Sequence, residues 1–272
     1  MQIPDKVAAY AGAMTGSTRG TLYPERLPRF YRLTPAPAAG PLVRWFWITR
    51  WSLPEGEVSR QEVISFPALN LVVENGLVGL AGPTTQADHT DLIGSGWAIG
   101  ALLRPAAVPV FTADPGSLRD RYDPFEAPDL YATIAAAMTA DSEAGRTAAA
   151  ERFASWLVAR AGDPTEEALL ANRLAELAEE PGIRRVGVLA ERLAVSERTL
   201  QRLARTYIGL SPAALIRRRR LQEAAGRIRD DPDADLAALA TELGYTDQAH
   251  LTNEFARVLG YTPARYRRTL SD

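Results

Sequence analysis

Residues that can hydrogen-bond to nucleic-acid bases lie on one face of a predicted helix that begins after Ser196. That face carries Glu197, Arg198, Gln201, Arg202 and Arg205. Arginine can donate two parallel hydrogen bonds to guanine O6 and N7, and glutamine can pair similarly with adenine, each worth about 1–3 kcal/mol of discrimination. These residue types therefore fit the reading of base edges in a duplex. The alternative is a solvated helix face without a ligand.

The segment that positions this helix has the pattern of a helix-turn-helix unit. Apolar residues recur at the spacing of two mutually buried helices, at Val186, Leu189, Leu193, Val195, Leu200 and Leu203. Ala190 is small where the helices cross, and Ala194 lies at the turn. We expect Ser196 to cap the second helix, because its hydroxyl can accept a hydrogen bond from a free backbone N–H of the first turn.

A second unit of the same design follows about fifty positions later. Ala240 stands where the first unit has Ala190, and Gly244 stands where it has Ala194. Glycine suits a turn that requires a positive φ. We expect Asp247 to cap the helix that follows. Two such units in tandem are a far more specific pattern than one.

A predicted helix from Pro212 to about Arg229 joins the two units. At its expected length of about 27 Å, it can hold two reading helices on successive turns of a duplex, about 34 Å apart. Four consecutive arginines, 217–220, sweep around this helix, so at most two of them face one surface. We expect them to pair with acidic residues such as Glu223, and phosphate contact by Arg217 or Arg218 is the alternative.

The two units resemble the C-terminal DNA-binding domain of the AraC/XylS family of bacterial transcription regulators. The matching stretches are LAERLAVSERTLQRLARTYIGLSPAALIRRRRLQEA and LAALATELGYTDQAHLTNEFARVLGYTPARYRR. The family's regulators typically place a sensing or dimerising domain ahead of this module. The resemblance therefore implies a sequence-specific transcription regulator, with no catalytic residue, metal or cofactor.

By this resemblance, Arg198, Gln201 and Arg202 read bases in the first unit. Arg205 lies further along the helix and is expected to meet phosphate. The alternative for any one of these side chains is a solvated charge on an exposed face.

The second unit departs from the family pattern, because Asn253 stands where the family very often has arginine. Its exposed face is expected to show Gln248, Ala249, Thr252, Asn253 and Glu254. Beyond the cap at Asp247, the neutral groups of Gln248, Thr252 and Asn253 can bond to base edges or phosphates. We therefore expect the first unit to dominate specificity and the second to position the protein. His250 is expected to pack or cap rather than read a base.

Charge is divided unevenly along the chain. Residues 183–272 carry a net charge of +5, and the remainder carries −7, which gives the total of −2. A basic module attached to an acidic one predicts that only the C-terminal part meets a polyanion. The expected partners are double-stranded promoter or operator DNA and, for an activator, RNA polymerase.

Short runs rich in aromatic and β-branched residues predict a β-rich domain ahead of this module. The runs are 42–51, 58–66, 69–73, 77–80 and 94–103, with Asn75-Gly76 as a hairpin signal. Helices are predicted at 128–140, 143–161 and 164–180, with one or two helical turns at 115–122. We therefore predict an α+β protein of two domains. It comprises an arm at 1–28, a β-barrel or sandwich-like regulatory domain with following helices at 29–182, and the all-α module at 183–272.

Three tryptophans, Trp45, Trp47 and Trp51, are separated by even numbers of residues. They therefore lie on one side of the predicted strand if that strand is unbroken. They fit a β core or, alternatively, the aromatic wall of a pocket for a small-molecule effector. The pocket residues would then be Trp45, Trp47, Asn70, Glu74 and Trp97. Asn70 and Glu74 share strand parity and need hydrogen-bond partners if they are buried.

An apolar stripe runs along the helix predicted at 164–180. Its members are Leu169, Leu170, Leu174 and Leu177. The stripe fits packing on the β-rich domain or, alternatively, a helix pair at a homodimer interface. The run Glu179-Glu180-Pro181-Gly182 ends the helix and marks the predicted domain boundary.

Composition excludes several kinds of site. The chain has no cysteine and two histidines, His89 and His250, which excludes disulfides, thiolate metal sites and imidazole clusters. No apolar run approaches the roughly 20 residues of a membrane span. The N-terminus also lacks the layout of a secretory signal, so we expect a cytoplasmic protein. The competing hypothesis is an enzyme with a β-rich catalytic domain, whose helical module binds a protein partner.

Overall fold

The computed structural model describes residues 29–74 and 76–271. Within these ranges the predicted class is confirmed, because a β-rich domain is followed by helices and then by two helix-turn-helix units. The predicted arm at 1–28 and Asn75 of the predicted hairpin lie outside the described residues.

The strands of the described residues form two antiparallel sheets. They are β1 Arg29–Leu33, β2 Val43–Ser52, β3 Val58–Val63, β4 Asn70–Glu74, β5 Leu77–Ala81, β6 Asp88–Ile93, β7 Ser95–Leu103 and β8 Tyr122–Pro124. Six of them form one sheet in the order β1-β2-β7-β4-β5-β8, and β3 pairs with β6. The five predicted runs correspond to β2, β3, β4, β5 and β7.

The polar run around His89 forms a strand that is not among the five predicted runs. Residues 88–93 form β6, which pairs with β3 in antiparallel register. Across this pair, the Arg60 guanidinium donates to both Asp91 carboxylate oxygens at 2.8 and 2.9 Å. Cross-strand polar pairs therefore sustain a strand whose sequence alone lacks the usual apolar alternation.

The two faces of the six-stranded sheet carry separate apolar clusters. One face places Phe46, Ile48, Leu71, Val73 and Ile99 in a cluster with residues of the following helices. The opposite face buries Trp45 and Trp47 with neighbours that include Leu92 of β6. The β core interpretation of these tryptophans is therefore confirmed, and the domain is sandwich-like.

Tryptophans on β2 lie against glycines on β7. Trp47 pairs with Gly100, and Trp51 pairs with Gly96. A Cβ atom at Gly100 would lie 2.2 Å from Trp47 Cε2, and one at Gly96 would lie 2.3 Å from Trp51 Cζ2. The glycines are thus required by the close approach of an indole ring to the neighbouring backbone.

Helices make up most of the chain after β8. They are α1 Pro128–Ala137, α2 Glu143–Ala161, α3 Glu166–Ala178, α4 Val186–Leu193, α5 Glu197–Tyr207, α6 Pro212–Asp230, α7 Leu236–Glu242, α8 Gln248–Leu259 and α9 Pro263–Ser271. Short 3-10 helices lie at Pro37–Ala39, Pro105–Val110 and Pro115–Leu118. Helices α1 and α2 pack on the sheet face opposite the tryptophan cluster.

The apolar stripe of α3 packs mainly on the first helix-turn-helix unit. Leu174 is fully buried in a cluster with residues of α4, α5 and α6, and Leu170 and Leu177 pack against the same cluster. Leu169 is 40% exposed. The expected packing of this stripe on the β-rich domain is therefore wrong, apart from the contact with the 3-10 helix Pro105–Val110. Helix α3 covers the first helix-turn-helix unit instead.

We expect Leu174→Ala to lower the free energy of unfolding by about 2–5 kcal/mol, because it removes a fully buried side chain and leaves a cavity. Leu169→Ala on the same helix is the control, with an expected change within about 0.5 kcal/mol. Urea unfolding followed by far-UV circular dichroism measures both. Similar small changes in the two variants would contradict the packing of α3 on the first unit.

Candidate nucleic-acid interface

The first unit is built from α4 and α5, as predicted. Ala194 ends α4 in the left-handed region, at φ 55°. Ser196 caps α5, since its Oγ accepts a hydrogen bond from Thr199 N at 3.1 Å. Leu200 and Leu203 are fully buried beneath α5. The opposite face of this helix is consequently turned to solvent.

The four side chains predicted to meet DNA in the first unit are brought together on that outward face. Arg198, Gln201, Arg202 and Arg205 are all exposed. Their guanidinium and amide groups therefore provide a contiguous row of hydrogen-bond donors and positive charge. This arrangement can meet base edges and phosphates along one groove.

One of these arginines is held by a carboxylate of α3. Arg202 Nη2 lies 2.5 Å from Glu167 Oε1, and Tyr207 Oη donates to Glu167 Oε2 at 3.2 Å. The hydrogen bond from Arg202 is the main cause that lowers the pKa of the Glu167 carboxyl. The pair is solvent-accessible, so it is weak and can open.

The second unit, built from α7 and α8, follows the predicted design. Gly244 lies at φ 75°, and Asp247 Oδ1 accepts from His250 N at 2.7 Å. Gln248 and Asn253 are exposed, and Thr252 is half-buried. The unit therefore presents neutral polar groups where the first unit presents arginines.

Two residues of α8, Glu254 and His250, contact the side chain of Tyr245. Glu254 was expected on the exposed face but is buried, and Tyr245 Oη donates to its Oε1 at 2.9 Å. Burial and the neighbouring Glu254 charge raise the pKa of Tyr245. His250 contacts the Tyr245 ring edge-on, with centroids 5.3 Å apart, which agrees with its expected packing role.

The arginine run of α6 is divided among different partners. Arg219 Nη1 donates to Glu223 at 2.7 Å, as predicted. The Arg220 guanidinium lies over the Tyr245 ring, 3.8 Å from its centroid. Arg218 is buried, so its phosphate role does not fit this arrangement, whereas Arg217 is exposed.

Buried polar contacts join α6 to the β-rich domain. Arg218 Nη2 donates to the backbone oxygen and Oγ1 of Thr84 and to Gln86 O. Burial lowers the pKa of Arg218 to about 10. Gln222 Nε2 donates to Ile64 O at 2.8 Å. These donors lie on the same helix that connects the two reading units.

A backbone hydrogen bond also connects the β-rich domain to the second helix-turn-helix unit. Ala87 N donates to Val258 O, near the end of α8, at 2.8 Å. Both helix-turn-helix units therefore contact the part of the chain that precedes them.

The predicted effector pocket is not formed as expected. Trp47 Nε1 donates to Asn70 Oδ1 at 3.2 Å within the core, and Tyr122 Oη donates to Glu74 Oε1 at 2.6 Å. Trp97 packs on the other face of the sheet, away from Trp45 and Trp47. The five residues therefore do not line a common pocket.

Sequence reasoning missed the contacts that join the two domains. Glu167 lies in the first turn of α3, where acidic residues are favoured by the helix dipole alone, so its contact with Arg202 has no distinct signal. The partners of Arg218 and Gln222 are mainly backbone oxygens of distant segments. Any residue type can supply such an acceptor, and no side-chain pattern reveals it.

Within the described part of the chain, no group of three or more His, Asp or Glu residues is placed to hold a metal ion. In the same residues, none of the helices has the length and hydropathy that a membrane span requires.

Two known families match separate parts of the chain. A family described as a helix-turn-helix domain matches residues 189–269. A family described as a domain of unknown function, DUF6597, matches residues 31–122. The first covers both reading units, and the second covers β1 to the start of β8.

Curated relatives align with the C-terminal module. A Streptomyces lividans protein described as an AraC-like transcription regulator is 36% identical over 83 residues, which are 30% of this chain and 27% of that protein. The transcriptional activator RhaS of Escherichia fergusonii is 33% identical over 79 residues, 29% of this chain and 28% of that protein. This chain carries a helix-turn-helix domain of the AraC/XylS family. It spans less than a third of the length of these curated relatives.

Solved structures of two bacterial proteins are also similar to this chain. ToxT from Vibrio cholerae is 10% identical, with 90% of this chain and 98% of that chain covered at a TM-score of 0.41. The C-terminal domain of AraT from Geobacillus stearothermophilus is 23% identical, with 39% and 88% covered at a TM-score of 0.35. Likeness at this level does not identify a ligand or a site residue.

We expect Ser196→Ala and Asp247→Ala each to lower the free energy of unfolding by about 1 kcal/mol, because each leaves a first-turn N–H of a reading helix without its acceptor. Ser155→Ala, at an exposed position within α2, is the control and should change it by less than about 0.5 kcal/mol. Chemical denaturation measures all three. A cap variant that behaves like the control would show that its cap does not stabilise the reading helix.

Proposed function

We propose that this protein is a sequence-specific DNA-binding transcription regulator of the AraC/XylS type, and that its β-rich domain controls how the helix-turn-helix module meets DNA. The observation that carries the proposal is the outward face of α5. Arg198, Gln201, Arg202 and Arg205 are exposed together on a helix whose opposite face is buried. Such a helix fits the major groove of a duplex.

In this proposal α5 determines which DNA sequence is bound, and α8 helps to position the protein on the duplex. Arg198, Gln201 and Arg202 bond to base edges, and Arg205 bonds to phosphate. Gln248, Thr252 and Asn253 of α8 have no positive charge, so their contacts are weaker and contribute mainly to register on the duplex.

Control by the β-rich domain is supported by the contacts that α3 and α6 make. Glu167 neutralises Arg202 on the reading face, and Arg218 and Gln222 attach α6 to segments of the β-rich domain. A small-molecule effector or dimerisation can act by changing these contacts. If the protein is an activator, RNA polymerase is a further partner. Because the protein would bind chromosomal DNA, it would act in the cytoplasm.

The enzyme hypothesis has weaker support from the contacts of the β-rich domain. Burial raises the pKa of Glu74, which would suit a catalytic acid. However, Glu74 accepts a hydrogen bond from Tyr122, and Tyr122 packs with the tryptophan cluster of the sheet. These contacts fit a structural role.

We expect a random duplex library to yield one enriched motif with the wild-type protein at moderate salt. Arg198→Ala or Arg202→Ala should relax the motif at one or two positions, since each bidentate contact to a base is worth about 1–3 kcal/mol. Arg173→Ala, an exposed arginine on α3, removes the same charge and should preserve the motif. An inverted or direct repeat in the motif would support a dimer.

Two results of this selection would count against the proposal. An unchanged motif in both α5 variants would contradict base reading by α5. If no sequence is enriched with the wild-type protein, sequence-specific binding is contradicted under those conditions.

We also expect Glu167→Gln to raise the affinity for the selected duplex by about two- to fivefold, because an exposed ion pair is worth at most about 1 kcal/mol. Glu166→Gln, at the exposed neighbouring position, makes the same change in net charge and is the control. Fluorescence anisotropy with a labelled duplex measures both. If both variants raise the affinity for DNA equally, the increase comes from net charge alone. That result would contradict a specific effect of Glu167 on Arg202.

A further inference from the structure

A cavity of about 140 Å³ lies where the β-rich domain, α3 and the first helix-turn-helix unit meet. Its apolar wall includes Phe66, Leu69, Leu102, Val108, Ile208 and Leu215. Phe66, Leu69, Leu102 and Val108 belong to the β-rich domain, whereas Ile208 and Leu215 follow the reading helix α5. A molecule in this cavity would therefore touch both domains at once.

The charged residues that line the cavity are already paired within the chain. The pairs are Arg44 with Glu179, Arg104 with Glu176, and Arg219 with Glu223. A charged ligand would have to compete with one of these partners and leave a partly buried charge uncompensated, which is costly. The lining thus favours a neutral ligand.

The side-chain amides that line the cavity also form hydrogen bonds within the chain. Asn172 accepts from Ala106 N and donates to Pro41 O, and Gln222 donates to Ile64 O. The Arg104 Nε has no hydrogen-bond partner among the described residues, but it is fully buried and so does not face the cavity.

The volume of the cavity limits the size of the ligand. An apolar protein cavity of about 150 Å³ accommodates a benzene molecule, and this cavity is of nearly that size. A single aromatic ring with a short substituent fits, whereas a long chain or a fused polycyclic molecule exceeds the space.

A shallower depression adjoins the cavity beside the ion pair of Arg44 with Glu179. Arg44, Phe66, Glu176 and Glu179 line the cavity and also line this depression beside Trp45 and Pro181. Side chains of the partly exposed pairs can move without unfolding any element, so a small molecule can pass.

We propose that this cavity binds a neutral molecule with a single aromatic ring, and that the bound molecule holds the β-rich domain against the first reading unit. The regulatory half of this inference rests on the proposed function. Because the ligand contacts both domains in the arrangement where Glu167 pairs with Arg202, its binding stabilises that arrangement. Ligand binding therefore lowers the affinity for DNA.

Isothermal titration calorimetry on the full chain, without DNA, tests the site. Acetophenone is the neutral probe, and benzoate is a charged probe of similar size and shape. We expect acetophenone to bind at one site and benzoate to bind at least tenfold more weakly. Absence of acetophenone binding, or equal binding of the two probes, would overturn the proposed site.

Cavity-filling variants locate the binding. Ala175→Leu on α3 and Ala68→Leu on the β-rich domain add bulk from two walls, and each should weaken acetophenone binding at least tenfold. Ala136→Leu, on the exposed side of α1, adds the same bulk elsewhere and should leave binding unchanged. Circular dichroism identifies any filling variant that does not fold, and the other then decides. Wild-type affinity in a folded filling variant would overturn the assignment.

Anisotropy with the selected duplex tests the regulatory half separately. Saturating acetophenone should weaken DNA binding by the wild type at least twofold and should have no effect on a folded filling variant. Unchanged DNA affinity with the probe bound would overturn the regulatory role and leave the site intact. Failure of the unliganded protein to bind any duplex would count against the proposed function instead.

Discussion

The arrangement of the whole molecule depends on the burial of one face of α6 against the β-rich domain. Arg218 is 6% exposed, and a guanidinium can be removed from water only when oxygen acceptors replace part of its hydration. The segment 84–86 supplies those acceptors through its backbone and a threonine hydroxyl. Because α6 also joins the two helix-turn-helix units, this contact fixes both units relative to the sheet.

Helix α3 couples the same parts through a different set of forces. Its apolar face is buried in the first unit through Leu174, while Glu176 and Glu179 form ion pairs with arginines of the β-rich domain. Its first turn brings Glu167 to Arg202. A single helix thus contacts the sheet, the core of the first unit and its reading face. A change in the β-rich domain that displaces α3 would alter the charge that the reading face presents.

The two reading units differ in chemistry although they share a design. In the first, arginines occupy the outward face of α5. In the second, Glu254 turns inward to Tyr245, whose ring is covered by Arg220 of α6. The second unit therefore uses Glu254 for internal packing, and the α8 side chains predicted to meet DNA, Gln248, Thr252 and Asn253, are neutral. In the proposed function, this difference assigns base discrimination to the first unit and orientation to the second.

The sequence by itself determined the local features of this protein. Ser196, Gly244 and Asp247 specified caps and a turn because such functions depend on a residue and its nearest neighbours. Periodicity and capping residues likewise identified α2, α6 and the N-terminal ends of α5 and α8, while the alternating tryptophans fitted a β core as one of two interpretations. The family's sequence pattern identified the tandem reading units, since it spans both of them.

Tertiary structure decided which surfaces meet. The face of Trp97 relative to Trp45 depended on strand register, because a shift of one residue reverses every side chain of a strand. The partner of the α3 stripe depended on where a short linker placed that helix, since an apolar stripe is equally complementary to any apolar surface. The contacts of α6 with the β-rich domain depended on backbone oxygens, which every residue type carries. These long-range choices, rather than any local pattern, place Glu167 beside Arg202 and create the cavity between the domains.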